Sequence, residues 1–267
     1  MTRKIVRLAV PVLVLLFLYV PILMLAFYSF TDATQIGTFR TFTLKNYATL
    51  FTTPELRNMI VGTILLALGA ALIATILGTL GAIGAFYSRK RTASAMATVN
   101  QIPVINADVV TGFSLCVLLV VVFGIAKDTY IPLVLGHVTL CAPFVYLSVI
   151  PKLKQMDSSL YEAALDLGAT PRKALFRVVF PQIFSGMISG FSLAVTLSLD
   201  DYFIATYTKP ATFDTISTYV VNATKGSQTQ IKTALWALST LIFLLVIVIV
   251  LVMNLSARRS EKKEERA

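Results

Sequence analysis

Long charge-free stretches alternate with short basic ones along this chain. No Asp, Glu, Lys or Arg occurs in the 24 residues between Arg7 and Asp32, the 31 between Arg57 and Arg89, the 23 between Asp128 and Lys152, the 22 between Arg177 and Asp200, or the 25 between Lys232 and Arg258. A sixth stretch, 92–126, holds Asp108 as its one charged residue and is read as apolar apart from it. A helix needs about 20 mostly apolar residues to cross the hydrocarbon core. The pattern therefore predicts six transmembrane helices, near 8–30, 59–87, 97–123, 131–150, 182–206 and 233–256. Membrane barrels are excluded, because their strands alternate apolar with polar positions and run only about 9–11 residues. The expected fold class is an all-α membrane protein.

Composition agrees. Of 267 residues, 57% are hydrophobic and 13% charged, where soluble proteins carry about 25% charged; a soluble domain is ruled out. A net charge of +10 raises the question of nucleic acid, but the placement of the charge answers it. Segments 1–7, 88–96, 151–181 and 257–267 hold sixteen Lys and Arg in 58 residues, whereas 31–58, 124–130 and 207–232 hold seven in 61. An excess of Lys and Arg marks the cytoplasmic side and attracts anionic lipid. Both termini are expected inside, with membrane lipid and no nucleic acid as partner. The domains follow: a cytoplasmic N-terminus 1–7, a six-helix domain 8–256 with a cytoplasmic loop 151–181, and a cytoplasmic tail 257–267. The first apolar run exceeds the 7–15 residues of a signal-peptide core and is expected to stay as an uncleaved helix.

Small residues mark where helices approach closely. Ala70, Ala74, Gly78 and Ala82 recur every four residues in the second span, and Gly186 and Gly190 repeat the spacing in the fifth; such stripes pack membrane helices together. The sixth span, from Leu241 to Val252, is almost wholly Leu, Ile, Val and Phe and is expected to face lipid. Cys116 and Cys141 both fall inside spans and are expected as small apolar residues, with no disulfide framework. His137 is the only histidine. Without a second ligand nearby it is expected as a buried, hydrogen-bonded core residue, and no metal site is expected.

The loop 151–181 reads as two short helices. Ser159 and Glu162 have capping-box spacing, Gly168 supplies a left-handed helix end, and Thr170-Pro171 is an N-cap followed by a first-turn proline. Within it, Glu162-Ala163-Ala164, three residues, Gly168, nine residues and then Val178-Val179-Phe180-Pro181 resembles the cytoplasmic loop of bacterial ABC importer permeases, E-A-A, x3, G, x9, I-x-L-P. Val178 and Phe180 replace the usual Ile and Leu and remain apolar. The resemblance runs from the first span to the last, and is nearest to the polyamine permeases of the PotC type through Pro103 to Asp108, Glu162 to Gly168, and Ser198-Leu199-Asp200-Asp201.

That resemblance implies a type I importer permease of the MetI-like fold in a bacterial inner membrane, with Glu162, Ala163, Ala164 and Gly168 in the helix that couples to an ATPase. It implies as partners a second, homologous permease, an ATPase dimer and an extracytoplasmic binding protein. The chain has no G-x-x-x-x-G-K-[ST] phosphate loop, so it is expected to be non-catalytic. No cofactor is expected on this chain, with ATP and Mg held by the ATPase. The implied cargo is spermidine or putrescine. The alternatives are an ABC permease for an organophosphonate, an opine-like compound or a metal ion, and a secondary transporter, which would not need the coupling loop.

Three acids fall inside the predicted spans: Asp108 near the middle of the third, and Asp200 and Asp201 in the outer third of the fifth. A central Asp costs roughly 2.5–3.5 kcal/mol to insert, and no span offers it a Lys or Arg. A transported cation would meet that cost, and Asp108, Asp200, Asp201 and Tyr202 are the candidate path residues. Tyr202, Phe203 and Tyr207 add aromatic faces for cation–π contact. The competing reading gives Asp108 a local hydrogen bond near Asn106 and leaves Asp201 wet at the membrane interface.

Overall fold

The computed structural model describes residues 2–32, 39–157, 159–225, 234–248 and 251. In chain order the helices are α1 (Thr2–Tyr28), α2 (Lys45–Thr52), α3 (Pro54–Phe86), α4 (Lys90–Ile105), α5 (Asp108–Cys116), α6 (Ile131–Gln155), α7 (Ser159–Asp166), α8 (Pro171–Ala174), α9 (Phe180–Asp200), α10 (Phe203–Thr208), α11 (Ile216–Lys225) and α12 (Ala234–Val248). Widened π-helical turns extend α5 over Val117–Val122 and join α8 to α9 over Leu175–Val179. Among the described residues, extended pairing is limited to one bridge, Thr31 to Phe42.

Among the described residues, each of the six apolar stretches is mainly helical. Val10–Tyr28, α3, α6 and the run Pro171–Asp200 are each long and apolar enough to cross a membrane, and α12 is a shorter apolar helix. Two stretches depart from the sequence expectation. The third is not one rod: α4 and α5 meet at a bend of 104°. Pro103 lies two residues before Ile105, the end of α4, where it removes a helix hydrogen bond and crowds the preceding turn. Asn106 and Ala107 are then extended, with ψ of 148° and 133°. The Asn106 amide donates to the Thr111 hydroxyl at 3.1 Å, tying the break to the first turn of α5. The fifth stretch begins earlier than expected, at Pro171, and ends at Asp200. Asp201 is extended, with ψ of 124°, and α10 starts afresh.

The chain divides into two compact units, Met1–Asn58 with Tyr219–Val248, and Met59–Thr218 with Ile249–Ala267. In the first, the chain leaving α1 is pinned by buried Asn46, whose amide donates to the carbonyls of Ser29 and Thr31 at 2.9 and 2.8 Å. Tyr28 meets Trp236 edge-on at 6.1 Å between ring centroids. From Val10 to Val20, α1 presents exposed apolar side chains, whereas α12 is buried over Ala234–Leu238 and exposed at Leu244, Ile247 and Val248, so the expected lipid-facing sixth span is largely packed in its first half.

In the second unit, α6 lies between α3 and α9. Its Val145 is fully buried. A Cβ on Gly78 would come within 2.7 Å of Val145 Cβ, and one on Gly190 within 3.1 Å of Val145 Cα. Both small-residue stripes therefore do what their spacing predicts: they bring three helices into near-backbone contact. Ala70, Ala74 and Ala82 are buried along the same face.

Candidate substrate path and coupling element

The two helix breaks place the acids. Asp108 opens α5, where its charge complements the partial positive end of the helix, and it is exposed. Asp200 is the last residue of α9 and is also exposed. There the carbonyl end of the helix adds its own partial negative charge. Asp108, expected near the middle of a continuous third span, instead begins a helix, and Asp200, expected in the outer third of the fifth, ends one. Among the described residues the ion pairs are His137 with Asp201 and Lys209 with Asp214, so Asp108 and Asp200 are not matched by any Lys or Arg.

Asp201 sits differently from its neighbour. Its side chain is only 4% exposed, and its oxygens accept from the backbone N–H groups of Ile204 at 3.2 Å and Ala205 at 2.8 Å. These are donors that α10 leaves without intrahelical partners. The expectation of a path-facing or wet Asp201 is thus replaced by a buried cap. Asp200 and Asp201 remain chain neighbours at the break between α9 and α10. Tyr202 is half-buried beside them and meets Phe203 edge-on at 5.2 Å; Phe113 and Tyr207 form a second edge-on pair at 5.8 Å.

Glycines set the closeness of α5 and α10. A Cβ on Gly112 would lie 3.0 Å from Ile204 Cα, and one on Gly136 of α6 2.7 Å from Ile204 Cγ2. The sequence stripes did not include either residue. His137, next to Gly136, fulfils its expectation: it is fully buried, and its Nδ1 is 2.9 Å from the Ser198 hydroxyl. That partner is 61 residues away in sequence and has no local signature. Cys141 is buried and Cys116 partly so.

The loop after α6 carries the second candidate element. Gly168 has φ of +85°. The N–H groups of Ala169 and Gly168 donate to the carbonyls of Ala164 and Leu165 at 3.0 and 2.9 Å, the paired 6→1 and 5→2 bonds of a Schellman ending. Thr170 caps α8 by accepting from Lys173 N–H at 3.4 Å. The helix start differs from the expected capping box. Ser159 is the first helical residue, and its N–H donates to Asp157 Oδ1 at 3.0 Å. The Ser159 hydrogen bonds hold the Asp157 carboxyl below its usual range. Glu162 lies in the first turn of α7 and is exposed, as is Ala163, while Ala164 is half-buried. The tip presents Leu167, 89% exposed, while Tyr161 packs on Tyr87 at 5.1 Å and ties α7 to the residue following α3.

A family model described as binding-protein-dependent transport system inner membrane component matches residues 1–265. The chain belongs to this family. It is a membrane-spanning transport component of an inner membrane. The chain is 32% identical to the putrescine transport system permease protein PotI of Escherichia coli strain K12, over 97% of this chain and 93% of that one. It is 30% identical to the spermidine/putrescine transport system permease protein PotC of Haemophilus influenzae, over 97% and 99%. The fold matches a solved bacterial ABC transporter involved in import of the acidic polysaccharide alginate, with a TM-score of 0.74 at 20% identity, covering 96% and 98% of the two chains. A methionine ABC transporter in inward-facing conformations gives 0.57 at 15%, covering 78% and 99%. The permease therefore has the type I, MetI-like fold.

Proposed function

We propose that this permease carries a polyamine, spermidine or putrescine, through an ATP-driven importer, and that Asp108, Asp200 and Tyr202 line the route. The observation that carries the reading is that Asp108 and Asp200 stand exposed at helix breaks without a Lys or Arg to neutralise them. Unwound backbone and helix carbonyl ends at a break are suited to cations, and two carboxylates at the ends of α5 and α9 reinforce that preference. An ammonium group leaving water needs such charged, hydrogen-bonding replacements. Aromatic faces at Tyr202 and Tyr207 add cation–π attraction. The relatives named for putrescine and spermidine transport support the same cargo.

In this proposal Glu162, Ala163, Ala164 and Gly168 form the element that docks on an ATPase dimer. The stiff, doubly terminated α7 with its exposed Leu167 supports that role. A second permease completes the path, an extracytoplasmic binding protein delivers the cargo, and the ATPase holds ATP and Mg. The basic asymmetry of the loops supports N-in and C-in termini. Movement of the docked helix would rock the helices around the path, opening it to each side in turn.

Asp108→Asn and Asp200→Asn test the route, because each keeps shape while deleting charge. Uptake of spermidine by cells, normalised to membrane content, is expected to fall by about tenfold in each, on the scale of one partly screened charge pair. Putrescine uptake is expected to fall less, since a dication loses fewer contacts. Wild-type uptake of both polyamines in both variants would contradict the assignment.

A further inference from the structure

A buried polar chain stands behind the path acids. Ser198 on α9 is 2.9 Å from His137 Nδ1 on α6, and His137 Nε2 is 3.8 Å from Asp201 Oδ2. Asp201 in turn accepts the N–H groups of Ile204 and Ala205 at the start of α10. His137 is fully buried, and its Nε2 has no hydrogen-bond partner in the present geometry. One tautomer serves both contacts: the Ser198 hydroxyl donates to Nδ1, which leaves the ring proton on Nε2, facing the carboxylate. A buried donor without a partner is costly, so the 3.8 Å gap favours closure onto Asp201.

The position of this chain gives it leverage. Asp201 immediately follows Asp200, and Gly112, four residues after Asp108, presses on Ile204, which Asp201 caps. Whatever holds Asp201 over α10 therefore sets Asp200 from one side and α5, with Asp108, from the other.

We propose that His137 is a positioning residue: oriented by Ser198, its Nε2–H holds Asp201 over the start of α10 and so fixes the spacing of Asp108 and Asp200. The proposal rests on the reading of those two acids as path residues. In this role His137 and Ser198 act through Asp201 rather than by contact with the cargo.

The test uses the assembled transporter in nanodiscs, with amide hydrogen exchange measured without substrate and spermidine uptake measured in proteoliposomes. His137→Leu removes the donor, whereas His137→Gln places an amide N–H near the Nε2 position. Exchange over Phe203–Thr208 is expected to rise about tenfold in His137→Leu. Uptake is expected to fall about tenfold at unchanged basal ATP hydrolysis, as misplaced binding groups do. His137→Gln is expected to restore both. Unchanged exchange in His137→Leu overturns the proposal. So does an equal rise in His137→Gln, which would assign the effect to packing, or raised exchange with wild-type uptake. Should His137→Leu fail to insert, Ser198→Ala deletes only the hydroxyl that sets the tautomer; it is expected to raise exchange in the same segment, and wild-type exchange there overturns the proposal. A wild-type complex that moves no polyamine counts against the function proposed above, and the exchange result then decides the His137–Asp201 contact alone.

Discussion

Neighbouring residues of one type serve different ends here. Asp200 and Asp201 are adjacent, yet one is exposed at the carbonyl end of α9 and the other is buried as a cap on α10. What separates them is the backbone: Asp201 is extended, which turns consecutive side chains to opposite sides. Gly168 shows the same dependence on backbone. Nothing lies within 4 Å of the position its Cβ would take, so crowding plays no part and φ of +85° alone demands glycine. Gly168→Val should therefore cost of order 1–2 kcal/mol in the left-handed turn and loosen the end of α7. The expected outcome is normal membrane content with weaker ATPase co-purification and reduced ligand-stimulated hydrolysis. Unchanged values for both would remove the coupling role from this helix.

At the scale of elements, glycine positions divide into those that touch a neighbour's backbone and those that do not. Gly190→Leu forces a side chain against Val145 Cα, which has no rotamer through which to yield, and overpacking of this kind costs typically 1–3 kcal/mol. Gly81→Ala meets only the Tyr146 ring, at 3.8 Å. The first should lower the thermal midpoint of the detergent-solubilised complex and the second should leave it near wild type; equal midpoints would contradict the close α6–α9 packing. The helices and the Gly78, Gly186 and Gly190 contacts were legible in the sequence because hydropathy and small-residue spacing are local signals. The breaks at Asn106–Ala107 and Asp201–Tyr202 were not, because a hydropathy window registers apolar content and is blind to φ and ψ. Pro103 with Asn106 was the available hint. The start of α7 meets the same limit: Asp157 and Ser159 are both good caps, and the backbone path, in which Ser159 is already helical and donates to Asp157, chooses between them. The pairing of His137 with Ser198 joins separate helices and left no trace in either segment.

For the whole molecule, the distribution of Lys and Arg is the basis of the proposed N-in, C-in orientation. In a background lacking Cys116 and Cys141, a cysteine at Ser94 in α4 should resist a membrane-impermeant reagent applied to intact cells. Cysteines at Thr34 and Gly226, which lie outside the described residues, should be labelled. The reverse pattern would invert the topology. Transport itself is tested most directly by reconstituting this permease with the proposed second permease, ATPase and binding protein in proteoliposomes and following labelled spermidine and putrescine. Accumulation of at least one of them that requires ATP, requires the binding protein and is not driven by an ion gradient alone is the predicted result. No ATP-dependent accumulation of either polyamine by a complex whose ATPase is active would contradict it.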